Sequence, residues 1–148
     1  MNDFFPATLM TNGHFYGFQY NPANIVPNYD AFPLIYCVGP SLTNINNIRG
    51  LNLHHIPRNL RLEFLKKMEK EYHFTDKQRC VLTDDQLNRL LPGVIVAIRE
   101  YSRKRMCQIF EIYNKSMPKF IYSNGNIRQA IPDKEVMSYF AKSNNAHV

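Results

Sequence analysis

Through the first third of the chain apolar and polar residues alternate with a period of two, and beyond Pro57 the period lengthens to about 3.6. From His14 to Tyr20, the side chains of His14, Tyr16, Phe18 and Tyr20 fall on one side of an extended segment. Asn21 to Asn28 holds two prolines and three asparagines and reads as a loop. Leu34 to Val38 is a short run of strand formers, too brief for a helix, and Gly39-Pro40 ends it. The Asn-rich residues 41–48 make a polar connection. Gly50 to Ile56 then predicts a second core strand, closed by Pro57, which has no N–H to give a ladder. On that strand Leu51, Leu53 and His55 share one face, and Asn52 and His54 the other.

After Pro57, Leu60, Phe64, Met68 and Tyr72 form an apolar stripe widened by Leu65. Arg61, Glu63, Lys66, Lys67 and Lys70 occupy the remaining surface, so the pattern predicts an amphipathic helix. Glu63 and Lys67 stand at i,i+4 and add roughly 0.2–0.5 kcal/mol. Phe74 to Val81 reads as a loop. Thr83-Asp84-Asp85-Gln86 is a capping box, with acids where a helix dipole favours them. The stripe continues through Leu87, Leu90, Leu91, Val94, Ile98 and Tyr101, interrupted by Pro92-Gly93, where a break near Leu91 is expected. A second helical piece is expected from Val94 to about Tyr113, stopped by Met117-Pro118. Asn124-Gly125 signals a hairpin within 119–131, and Pro132 opens a last short helix.

Composition places these elements in a folded protein. Of the 148 residues 45% are hydrophobic, enough for a core, and no run approaches the ~20 apolar residues of a membrane span. The start, Met1-Asn2-Asp3-Phe4-Phe5-Pro6, lacks the pattern of a signal peptide, so a soluble, unsecreted protein is expected. Cys37, Cys80 and Cys107 are odd in number and widely spaced, which suggests buried reduced thiols rather than disulfides. Nine tyrosines and ten phenylalanines, with no tryptophan, suit interfaces as well as cores.

Charge is unevenly spread. The net charge is +6, and residues 58–119 hold 14 of the 18 Lys and Arg but only 8 of the 12 acids. The sharpest cluster is Arg99, Arg103, Lys104 and Arg105. On a helix Arg99 and Arg103 would project together, and Arg58, Arg61, Lys66, Lys67 and Lys70 would extend the patch if two helices lay side by side. Such a patch suits phosphates or an acidic protein, and a solvated helix face explains it equally well.

Reactive chemistry finds little support. His54 and His55 point to opposite faces of a strand and cannot easily share an ion, while His14, His73, Cys37 and Cys80 follow no ligand spacing, so no metal site is expected. Asp30 stands alone before a turn, where a carboxylate usually accepts backbone N–H bonds. No nucleophile elbow, phosphate-binding glycine loop or His-Glu-x-x-His is present.

The segments Tyr29-Asp30-Ala31-Phe32-Pro33-Leu34 and Gly50-Leu51-Asn52-Leu53-His54-His55-Ile56-Pro57, followed by Arg58 and Arg61, resemble a group of small virion proteins of tailed bacteriophages. That group includes proteins similar to the DNA end protector of T4-like phages. The resemblance covers about residues 16–65. The chain departs from it at Asn28, where the group tends to carry an aromatic, and at His55, where it tends to carry tyrosine. Asp30, Phe32, Pro33, Gly50, Asn52, His54 and Pro57 form its structural motif.

The residues and the resemblance together predict an α+β protein of one domain, 1–148. Residues 1–57 would be mainly β, a small antiparallel sheet, open or rolled into an SH3-like barrel. Residues 58–148 would be mainly α, with two to three packing helices. The resemblance implies a non-enzymatic structural or assembly component of a phage virion, near the head–tail junction or tail. It would be found in the virion and, during assembly, in the host cytoplasm, with no cofactor and no membrane. Its partners would be other virion proteins, met as a multimer through Tyr16, Tyr20, Tyr29 and Tyr36, and a DNA terminus met by the basic residues. The alternatives are a DNA-binding protein that protects or holds the packaged genome end and a small metal-dependent nuclease or hydrolase.

Overall fold

The computed structural model describes residues 3–21 and 30–121. Tyr29, the 119–131 hairpin beyond Ile121 and the last helix lie outside them. Six strands form one sheet: β1 (Phe4–Pro6), β2 (Phe15–Tyr20), β3 (Leu34–Pro40), β4 (Asn47–Asn52), β5 (Ile98–Ser102) and β6 (Met106–Ile112). Their order is β1-β6-β2-β3-β4-β5 and every pairing is antiparallel. Among the described residues three helices, α1 (Arg58–Tyr72), α2 (Asp84–Leu90) and α3 (Met117–Phe120), complete an α+β fold.

Period-two alternation gives the sheet two buried faces. Phe15, Leu34, Tyr36 and Leu51 point to the side where Phe64, Leu65 and Met68 of α1 and Leu87 and Leu90 of α2 complete the larger core. Tyr16, Phe18, Ile35, Cys37 and Ile48 point to the other side and pack with Met10 and Tyr101. Among the described residues no helix contributes to that second core, and the sheet coils around it. Tyr101 on β5 reaches Phe18 and Tyr20 on β2, at ring distances of 5.3 and 5.1 Å, although β3 and β4 intervene in the pairing order. The Ser102 N–H donates to the Tyr20 hydroxyl across the same gap, at 3.1 Å. Close layering also explains Gly50, where an added Cβ would lie 2.6 Å from Ile35 Cδ1.

Several expectations hold. The strands near residues 15–20 and 34–38, the helix after Pro57 and the capping box are all present. Gln86 N–H donates to Thr83 Oγ1 at 3.1 Å, and Thr83 N–H to Gln86 Oε1 at 2.8 Å. The Glu63–Lys67 pair forms at 3.2 Å. The break at Pro92-Gly93 also occurs, with Gly93 at φ 89°, a conformation that costs glycine little.

The segment beyond that break differs from the expectation. Val94–Ala97 is a 3-10 turn, and the helix expected from Val94 to Tyr113 is replaced by β5, a second 3-10 turn at Arg103–Arg105, and β6. The half expected to be mainly helical thus supplies two of the six strands. Ile98 and Tyr101 are spaced as on a helix, but the pairing of β5 with β4, distant in sequence, overrides that local pattern, as the pairing of β6 with β2 does for the residues that follow. The strand expected from Gly50 to Ile56 starts earlier and ends at Asn52, and Leu53–His55 forms a 3-10 turn. Pro118 does not stop an element but sits in the first turn of α3, where its missing N–H costs nothing. Cys37 and Cys80 are buried free thiols, as expected, whereas Cys107 is exposed on β6.

Candidate nucleic-acid interface

The polar residues of the sequence motif converge inside the protein. Asn52, at the end of β4, caps the 3-10 turn by accepting the His54 N–H at Oδ1, at 2.8 Å. Its amide donates to Asp30 Oδ2 at 3.0 Å and to the Tyr101 hydroxyl at 2.9 Å. His54 Nδ1 meets the same carboxylate oxygen at 2.7 Å, and the Phe32 N–H donates to the other at 3.1 Å. The Asp30, Asn52, His54 and Tyr101 side chains are all buried. Burial pushes the Asp30 carboxyl up, but the His54 hydrogen bond and charge, the Asn52 amide and the Phe32 N–H outweigh it and hold it below its ordinary value. The next residue, His55, is pushed down to about 4 by burial, with Arg99 adding to the effect. The knot ties the segment before β3, the end of β4 and β5 into one unit.

Arg61 belongs to this interior. The helical pattern places it on the solvent face of α1, yet it is only 2% exposed. Its guanidinium donates to the carbonyls of Ile56 (2.9 Å), His54 (3.2 Å) and Ile121 (3.2 Å). A long stem with a planar five-donor head can gather carbonyls that end other elements, so the helix turns this cation inward.

Two of the tyrosines expected to form a contact surface are also interior. Tyr16 and Tyr36 are 1% and 0% exposed. The Tyr36 hydroxyl donates to Cys80 O at 2.5 Å and accepts the Leu82 N–H at 2.9 Å, pinning the segment before α2 against β3. Tyr16 accepts the Thr11 N–H at 2.9 Å. Tyr20 is half-buried and engaged with β5. Each tyrosine buries its ring and spends its hydroxyl on backbone.

The outward-facing charge lies elsewhere, and on separate elements. Arg58, Lys66 and Lys70 are exposed on α1, and Lys67 is half-buried against Glu63. Arg99, on β5, turns back and donates to the carbonyls of Val96 and Ile98. It therefore does not project with Arg103 as a helix would have required. Arg103, Lys104 and Arg105 are all exposed on the 3-10 turn that leads from one edge strand, β5, to β6 near the opposite edge. The turn is pinned by backbone bonds: Arg103 N–H donates to Asn46 O and Asn21 N–H to Arg105 O, both at 3.0 Å. Among the described residues none of these three cations has a salt-bridge partner. Three consecutive cations on a short turn with a fixed backbone can bind phosphates without first displacing internal carboxylates.

One further polar group has no motif to announce it. Glu69, His73 and Asp76 bring three potential ligand atoms within 4.8 Å of one another at the end of α1. Glu69 already accepts the Thr75 N–H at 3.0 Å, which lowers its pKa, and His73 caps the helix in a left-handed conformation at φ 52°. The grouping follows from helix termination.

These features describe a small α+β protein with a polar knot locked in its interior and a rigid cationic turn on its surface. The chain belongs to the phage T4 terminal DNA protecting protein family, whose family model matches residues 7–122. The match covers most of the chain, the whole sheet beyond β1 and the basic turn included. Neither the curated proteins nor the solved structures contain a match.

Proposed function

We propose that this protein binds the terminus of duplex DNA and shields it from attack, without chemistry of its own. Family membership across residues 7–122 carries this reading, and the exposed Arg103–Arg105 turn supports it. Two of the four tyrosines expected to carry an assembly role, Tyr16 and Tyr36, are interior and so unavailable to a partner. A protein that guards a packaged end travels with it, so residence in the virion and contact with other virion proteins fit this reading. The Asp30–His54 pair acts as a structural brace in this account, because both groups are buried and committed to partners. Among the described residues no helix is long and apolar enough to cross a membrane.

Competition between linear and covalently closed circular duplexes of equal length tests this reading. The linear form should bind more tightly and resist exonuclease digestion, and log affinity should fall linearly with log salt, by about 0.9 per phosphate contacted. Equal binding of both forms would remove the end-specific part, and no binding at about 50 mM salt would remove the whole.

A further inference from the structure

The loop joining β3 to β4 displays two large aliphatic side chains to solvent. Leu42 is 90% exposed and Ile45 is 83% exposed. Loops that float free seldom hold such residues in a defined place, but this one is built. Ser41 N–H donates to Asn47 O, and Asn47 N–H to Asn44 O, both at 3.0 Å. Ser41 Oγ accepts the N–H groups of Thr43 and Asn44, each at 3.2 Å, and Asn44 Oδ1 accepts the Asn46 N–H at 3.0 Å. The polar residues of the loop thus bond to one another and to its base, and the two apolar ones are left facing out.

The same loop abuts the basic turn. Asn47 pairs with Ser102 in the β4–β5 ladder, and beyond that pair the Arg103 N–H donates to Asn46 O. An aliphatic pair and three cations therefore leave the sheet together at one end. Glu100 is the acid beside them. Its carboxylate accepts from Ser41 Oγ and from the Asn47 amide at the loop base, so it braces the loop, and among the described residues it forms no salt bridge with the three cations.

Duplex DNA offers a matching surface at one place only. Along its length the bases are stacked and the outside is phosphate, whereas at an end the last base pair presents a flat apolar face ringed by phosphates. Leu and Ile side chains pack against base faces where proteins wedge into the stack. We infer that Leu42 and Ile45 cap the terminal base pair of a blunt duplex end while Arg103, Lys104 and Arg105 hold the adjoining phosphates. This deepens the proposed function and rests on it. It assigns the end-sensing element to an apolar contact and the general DNA affinity to the basic turn.

The test uses the full chain, its Leu42→Ser/Ile45→Ser double variant and its Arg103→Gln/Lys104→Gln double variant. Each is measured on blunt linear duplex, on the same duplex closed by hairpin loops, and on a closed circle. The aliphatic variant should lose roughly tenfold in affinity for blunt ends, the order expected from burying aliphatic side chains in part. Its affinity for the circle and its salt slope should not change. The basic variant should weaken binding to all three and flatten the slope. A fluorescent adenine analogue in the terminal pair should change its emission on binding the parent chain and not on binding the aliphatic variant. Retention of end preference and of the fluorescence change by Leu42→Ser/Ile45→Ser would overturn the cap while leaving end protection intact. The cap is equally overturned if that variant loses only a protein partner or vesicle binding. Absence of end preference in the parent chain would instead sink the proposed function. Thermal melts of the variants, whose substituted side chains are exposed, confirm folding.

Discussion

Two clusters of polar residues sit at opposite extremes of exposure in this protein, and their sequences give little hint of the difference. The interior knot gathers Asp30, Asn52, His54 and Tyr101, with Arg61 nearby, and no buried side-chain nitrogen or oxygen among the described residues lacks a partner. The exterior turn presents Arg103, Lys104 and Arg105 with only their backbone hydrogen-bonded among the described residues. Arg61 and Arg103 carry the same charge, and the sequence pattern assigns them one task. Inside, the charge is spent on carbonyls and fixes chain geometry; outside, it stays available to a ligand. The contrast predicts that damage to the first cluster shows as lost stability and damage to the second as lost binding.

The strongest break should come from the knot. Asp30→Ala strands the His54 ring and the Asn52 amide in the interior and should destabilise the fold by about 3–5 kcal/mol, read from urea unfolding. Asn52→Leu keeps the volume but removes the cap of the 3-10 turn and the Tyr101 partner, and should cost about 2–4 kcal/mol. If either variant unfolds at the parent's urea midpoint, the knot is not a brace. Arg61→Met keeps the stem and removes three donors to carbonyls, with an expected loss of about 2–3 kcal/mol.

Acid sharpens the same comparison. The Asp30 carboxyl is held low, so its contribution is complete above the unfolded value near 3.9 and drains as the pH falls through the lower folded value. His55 is held at about 4, so the folded protein refuses a proton that the unfolded chain takes up near 6.5. Stability from that source is complete above pH 6.5 and declines toward pH 4, by about 3 kcal/mol in all. Unfolding midpoints measured from pH 7.5 to 4.5 should fall in the parent chain and fall less in His55→Gln. Parallel curves would show that His55 is not excluded from protonation.

The smallest change in stability belongs to the exterior. Arg103→Gln/Lys104→Gln should alter unfolding by less than about 0.5 kcal/mol while lowering the salt slope of DNA binding by about 0.9 for each phosphate no longer neutralised. Lys66→Gln/Lys70→Gln on α1 is the matching control. An equal loss of slope there would spread the interface over the helix.

Much of this is legible where the physics is local. A two-residue period marks β2 and β3, a proline followed by a 3.6-residue stripe marks α1, and a hydroxyl three residues before Gln86 marks the start of α2. Even the mistaken extension of β4 places Asn52 and His54 together, and both do meet Asp30. The failures are non-local. β5 and β6 exist because β4 and β2 are there to pair with, and no window around residues 98–112 contains that information. Arg61 and the tyrosines mislead for a different reason. Each has an apolar body and a polar head, so burial depends on whether a carbonyl or N–H waits at the far end, which only the assembled fold reveals. Leu42 and Ile45 do carry a signal, two aliphatic residues in an otherwise polar stretch, but the asparagines around them mark residues 41–48 as a plain connection.

The crowding beneath Gly50 bears on how genetic data for this protein should be read. With Ile35 Cβ 3.0 Å from where a Cβ at position 50 would sit, any side chain there should force Ile35 to shift, and a screen for loss of function would return position 50 among the sensitive sites. Such a hit would report a strained scaffold, not a lost contact with a ligand. Sensitivity maps of this chain will therefore need a folding assay beside them, because its most intolerant positions are expected to be ones that never meet the ligand.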